Sequence, residues 1–194
     1  MKKAFLLKTL MLLLVLVGVM CSVAMAEQTP QTPQCAILYI NNAKTTYDSA
    51  IDDCVLDNIK EKLSKKFTVV QSDAAIKTLA DMGMTDLSMA ERRDIIDALS
   101  GDGYDYIICL SVEPFQRKEK FSFFTQGIEM TATVPVKIID VKSDKYIYNG
   151  KFVELKADST AFGTVGNKSV AIGAIKKVNK SLNKVLEEKL LNRK

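Results

Sequence analysis

The sequence predicts an α/β domain with α+β character: a mixed sheet in two or three layers, in the order β-α-β-α-α-β-(β)-β-β-α, closed by an amphipathic C-terminal helix. Three observations predict it. Residues 104–114 are β-branched and aromatic, and their middle, 107–110, is apolar on both faces, as in a strand covered on both sides. Helical periodicities precede this strand. A long period-two alternation follows it, from Ile128 to Ile138.

The chain opens with Lys2, Lys3 and Lys8, an apolar run over 10–20, and Ala24-Met25-Ala26. Basic, apolar and small-residue regions in that order make 1–26 a secretory signal peptide, cleaved near Ala26. An uncleaved anchor is the rival, although eleven apolar residues fall short of the ~20 that a span needs. Lipidation at Cys21 fits poorly behind the bulky Met20. Removal of 1–26 leaves 168 of the 194 residues and lowers the net charge from +4 to +1. A balanced surface argues against nucleic acid, which needs a concentrated basic face. The remaining length supports one domain, 35–194, behind a polar, proline-spaced linker at 27–34.

Strand one is expected at 35–40. Tyr47, Ala50, Ile51, Cys54, Val55, Ile59 and Leu63 then recur at helical spacing, with Thr45 or Thr46 as cap. Asp48, Asp52 and Asp53 near the start and lysines near the end complement the helix dipole. A second strand at 67–70 makes a β-α-β unit with a parallel pair. Ser72-Asp73 opens a short helix over 74–82, ended by Gly83. Ser88 and Glu91 read as a capping box for a helix running to Leu99.

After the central strand, 115–126 reads as a loop or edge strand. The alternation from Ile128 places Ile128, Met130, Ala132, Val134, Val136 and Ile138 on one face. Glu129, Thr131, Thr133 and Lys137 take the other. Pro135 marks a bulge or an unpaired edge position. A turn at 142–145 leads into a return strand over 146–155, and 157–167 is a loop. Val170, Ala171, Ala174, Ile175, Val178, Leu182, Val185 and Leu186 form the final helix, whose outer face carries Lys176, Lys177, Lys180 and Lys184.

Histidine is absent, and with it the commonest general base and metal ligand. Cys35, Cys54 and Cys109 form no CxxC pair and read as small buried hydrophobes, with a Cys35–Cys54 bridge left open. Asp48 and Asp52 share a helix face, which helix-dipole chemistry explains. Asp102 and Asp105 suit a turn. Residues 163–169 have two residues between glycines where a phosphate loop has four. No catalytic residue, metal site, cofactor or nucleotide is expected.

One cluster asks for a function. Arg117, Lys118 and Lys120 lie beside Phe121, Phe123 and Phe124. The patch can meet a partner protein or a membrane surface. The competing reading buries two of the three phenylalanines and leaves the lysines solvated.

Two stretches carry a family resemblance: Gly103-Tyr104-Asp105-Tyr106-Ile107-Ile108-Cys109-Leu110-Ser111-Val112, and the hairpin over 133–148 with Ile138-Ile139-Asp140-Val141 before Lys145-Tyr146-Ile147-Tyr148. Over 35–190 the chain resembles bacterial envelope domains akin to the TolB N-terminal domain, the curli secretion protein CsgG and the penicillin-binding-protein activator LpoB. The resemblance implies a non-enzymatic module that binds envelope proteins or self-associates. It implies no catalytic residue. The link from Val112 to Ile128 is too short for a large pore-forming hairpin. The expected function is therefore an exported, periplasmic or envelope protein-binding module, which binds through an exposed sheet edge or through the region 121–124. A small-ligand or lipid carrier is the alternative, and a carboxylate-dependent cell-wall hydrolase the second.

Overall fold

The computed structural model describes residues 32–161 and 163–192. The signal peptide, its cleavage site, Cys21 and linker residues 27–31 lie outside the described residues. From Thr32 onward the chain is one compact unit.

Ten principal elements follow in order: β1 (Gln34–Asn41), α1 (Asp48–Leu63), β2 (Thr68–Gln71), α2 (Asp73–Asp81), α3 (Arg92–Ala98), β3 (Tyr106–Val112), β4 (Gln116–Phe121), β5 (Gln126–Asp140), β6 (Lys145–Thr160) and α4 (Asn167–Leu186). A π-helical turn, Glu187–Leu191, extends α4. The strands form one mixed six-stranded sheet. β1 pairs in parallel with β2 and with β3, as a β-α-β unit requires. β5 runs antiparallel to β3, β4 and β6. β3 and β4 lie end to end along one side of β5, and β6 runs along the other.

Helices cover both faces of the sheet's body. On one face Ile51, Val55, Ile59 and Leu63 of α1 and Ala174, Ile175, Val178 and Leu182 of α4 meet Ile37, Ile108, Val136 and Ile138. On the other, Ala75 and Leu79 of α2 and Ile95 of α3 meet Ala36, Leu38, Ile107 and Cys109. The result is a three-layer sandwich. Each fully buried Ile or Leu in it contributes about 1.5–3 kcal/mol. β3 is buried from Ile107 to Val112, because it lies between both layers.

Several expectations are corrected. Gln34 belongs to β1, not the linker, and donates its N–H to Asp105 Oδ2 at 2.8 Å. Neither Thr45 nor Thr46 caps α1; Asp48 Oδ1 instead accepts from the N–H and the hydroxyl of Thr45 at 2.8 and 2.7 Å. Ser88 and Glu91 form no capping box. Helix α3 begins at Arg92 with Glu91 extended ahead of it, and no side chain caps it. The segment before α3 is drawn inward by Lys137, whose Nζ donates to the carbonyls of Leu87, Ser88 and Ala90 at 3.0, 2.7 and 2.6 Å. Lys137 is thus buried rather than on a solvated face.

Residues 157–160 are strand, not loop, because they pair with the start of β5. Pro135 sits inside the sheet rather than at its edge. The β3 ladder stops at Val136 and the β4 ladder starts at Thr131, so the missing proline N–H falls between the two partners. The three described cysteines are free thiols: Cys35 and Cys109 are buried, and Cys54 is half-buried. Burial pushes the Cys35 and Cys109 thiols up to about 12.

Candidate binding surface

β5 is fifteen residues long, and the body uses only its C-terminal third against β3. The rest continues as a three-stranded ribbon with β4 and β6. One ribbon face is held by α4, where Ile128 and Met130 pack on Val170 and Ala171. The β4–β5 turn at 122–125 closes the ribbon end. Ser122 N–H donates to the Thr125 carbonyl at 2.8 Å, and Thr125 N–H donates to Ser122 Oγ at 3.0 Å. The two hydroxyls lie 2.6 Å apart. With its polar groups turned inward, the turn presents Phe123 and Phe124 outward.

Phe121, Phe123 and Phe124 are 72%, 100% and 84% exposed. No two of them bury, and the reading that placed two in the core is overturned. The reason is positional: they occupy the last strand residue and the turn, beyond the reach of α4. Phe123 and Phe124 form a tilted pair with centroids 6.3 Å apart. Three such rings offer an apolar patch of roughly 400–600 Å², as large as the largest patch on an ordinary monomer.

The cations are split between the two faces of β4: Arg117 lines a hollow with Phe121, and Lys118 and Lys120 alternate onto the other face. Arg117 donates from Nε to Asn167 Oδ1 at 3.2 Å and from Nη1 to Glu119 Oε1 at 2.7 Å. Lys120 is paired with Glu129. Lys118 stands opposite Glu129 in the β4–β5 register and makes no bond of its own among the described residues. The ribbon end is therefore an aromatic tip whose neighbouring charges are mostly neutralised internally.

The carboxylates singled out by sequence serve structural roles. Asp52 Oδ1 accepts from Tyr39 OH at 2.8 Å and Asn41 Nδ2 at 2.7 Å, fastening α1 to β1. Burial, with the adjacent carboxylate, raises the Tyr39 hydroxyl well above its usual range. Asp105 accepts from Gln34 N–H and from Lys142, 2.6 Å away, which holds its carboxyl below the usual range. Asp105 and Lys142 line a hollow of about 300 Å³ with Lys66, Phe67 and Tyr106, at the opposite end of the sheet from the turn. Lys66 is engaged by the Leu191 carbonyl. Among the described residues no three Cys, Asp or Glu side chains cluster closely enough to hold a metal ion. Gly166 starts α4 without a side-chain cap.

Sequence reasoning expected an exposed sheet edge but did not say which strand carries it; the outer side of β6 is such an edge. Val153 and Leu155 are 54% and 42% exposed there. They alternate with Glu154 and Lys156, so the sequence pattern turns the apolar pair inward, whereas the helix lies over the face that carries Phe152, Glu154 and Lys156.

No protein-family model matches the chain, and no curated protein sequence matches it. Solved structures are similar in fold. The Chlamydia trachomatis protein CT253 is 11% identical with a TM-score of 0.50, over 80% of this chain and 98% of that one. The neuraminyllactose-binding hemagglutinin homolog of Helicobacter pylori is 11% identical with a TM-score of 0.50, over 87% of this chain and 90% of that one. The LpoB C-terminal domain of Salmonella enterica is 14% identical, over 69% of this chain and 90% of that one, with a TM-score of 0.34. The likeness to the TolB N-terminal domain and to CsgG gains no support from these structures. At such identities the likeness concerns the fold alone.

Proposed function

We propose that this chain is an exported protein of the bacterial envelope that acts without catalysis, by binding another envelope protein at the ribbon end. Phe121, Phe123 and Phe124 are the anchors, and Arg117, Lys118 and Lys120 frame them. The observation that carries the reading is the solvent exposure of all three rings on a turn that satisfies its own hydrogen bonds. Buried aromatic anchors dominate protein interfaces, and a chain that keeps three of them in water gains nothing from them in isolation. Residues 1–26 direct export, with cleavage near Ala26.

In-cell crosslinking, purification from the envelope and mass spectrometry test it. A reproducible partner, lost in Phe121→Asp and Phe124→Asp variants that unfold at the wild-type temperature, is the expected result. Loss of folding in those variants overturns it, as does capture that persists without the rings. Vesicle binding that the same substitutions abolish, with no protein captured, moves the surface to the membrane.

A further inference from the structure

β6 is a sixteen-residue edge strand, paired with β5 on one side. Leu155 lies opposite Thr131, but its carbonyl points away from β5 and accepts from Lys177 Nζ of α4 at 2.7 Å. By the alternation of a strand, the backbone groups of Lys151, Val153 and Ala157 point outward with it. Ser159 N–H is satisfied by Asp158 Oδ1 at 2.9 Å, which closes the window at that end. Between Lys151 and Ala157 the edge is open, and Val153 and Leu155 present apolar side chains on the face that α4 leaves uncovered.

The flank of α4 above this edge is basic. Ser181 donates to Glu154 Oε1 at 2.8 Å, and a Cβ on Gly173 would lie 3.0 Å from Lys156 Cγ. These contacts orient the helix: residues one turn from Lys177 and Ser181 share their flank, which places Lys180 and Lys184 there, both exposed. With Lys151 and Lys156, five lysines stand along the edge against Glu154 and Asp158.

We propose that this edge, with the lysine flank of α4, is a docking groove for an acidic extended peptide segment, added as a further strand. The site is separate from the aromatic turn and does not depend on the function proposed for it. The incoming backbone takes over the Leu155 carbonyl. Lys177, released from that carbonyl, meets an acidic side chain of the peptide, with Lys180 and Lys184 beside it. Alternate apolar side chains of the peptide lie on Val153 and Leu155. A second copy of this chain is a poor occupant. Two-fold pairing of β6 with β6 brings the two α4 flanks together on one face, lysine against lysine. Edge lysines also discourage indiscriminate pairing, and an acidic segment is the occupant they admit.

The test pans a displayed library of random twelve-residue peptides on the protein purified from cell envelopes. Selected peptides are then measured by fluorescence anisotropy and amide hydrogen exchange. Enriched sequences are expected to be acidic with apolar residues at every second position, and to slow exchange over 151–157. Lys177→Glu and Lys184→Glu each weaken them by roughly tenfold, and Phe123→Asp leaves them unchanged. Enrichment of neutral or basic sequences, no enrichment, or protection outside β6 overturns the proposal. So does loss of binding in Phe123→Asp, which would assign the peptides to the aromatic turn.

Discussion

Asn58 and Asn183 each donate an amide N–H to the other's Oδ1, at 3.1 and 3.0 Å, across the α1–α4 interface. They belong to a row. Asn179 Nδ2 donates to the Cys54 carbonyl at 2.7 Å, Lys62 pairs with Glu187, and Lys66 donates to the Leu191 carbonyl. All four contacts join residues 125 apart. The two helices therefore run parallel and in step, one contact per turn. Polar contacts at every turn fix a register that apolar packing alone would leave free to slip by a turn. Among the described residues Asn179 Oδ1 is buried without a protein partner.

Asn183→Leu alone strands the Asn58 amide beside an apolar side chain, at a cost of about 1–3 kcal/mol. The Asn58→Leu, Asn183→Leu double variant removes both partners, and its loss is expected to be smaller than the two single losses combined. Denaturant unfolding of all four proteins measures the coupling. Strict additivity would show that water, rather than the partner, satisfies each amide.

Lys137 is the polar residue whose removal should cost most. Its ammonium meets three backbone carbonyls between α2 and α3, while burial pulls its pKa below the ordinary lysine value. The carbonyls favour the charged form, and they keep a cation in a place where desolvation opposes one. Lys137→Met keeps the stem and deletes the donors, leaving the carbonyls of Leu87 and Ala90 unmet. A loss of about 2–4 kcal/mol is expected, with faster amide exchange over 87–92 than over α1. Unchanged exchange there would mean that Leu87 and Ala90 hold the segment by packing alone.

The body of the fold was legible because its signals are local. The apolar stripe of α1 and the double-sided apolarity of β3 each report burial on their own element. They give the order of the elements; the number of layers stayed open between two and three, and the strand order in the sheet rests on pairings between distant segments that no local pattern encodes. Lys137 was not legible, since a lysine in an alternating strand reads as solvent-facing until the segment carrying Leu87 to Ala90 is known to lie across it. The same contact disabled the Ser88 and Glu91 motif, whose backbone it captured. Phe121, Phe123 and Phe124 were legible as unusual but not as exposed: burial depends on how far α4 extends along the ribbon, which no local pattern encodes. Which strand bears the open edge was not legible either, because Val153 and Leu155 alternate with Glu154 and Lys156 and so read as the covered face, while α4 lies over the charged one.

Gly127 links the ribbon's geometry to its proposed use. A Cβ at this position would lie 2.5 Å from the Asp158 carbonyl and 2.9 Å from Ser159 Cβ. The first contact is with backbone, so β6 must move away rather than rotate a side chain. Gly127→Val is expected to open the β5–β6 pairing at the ribbon end. Exchange at Asp158 and Thr160, whose amides face β5, quickens while Tyr148 stays protected, and the global cost is about 1–3 kcal/mol. All three phenylalanines remain in this variant, but the strand pair that supports their turn is loosened. Crosslinked partner should therefore fall as it does for Phe124→Asp, without loss of any aromatic side chain. Full capture by Gly127→Val would mean that the rings act as a flexible apolar segment, and that the ribbon is only their tether.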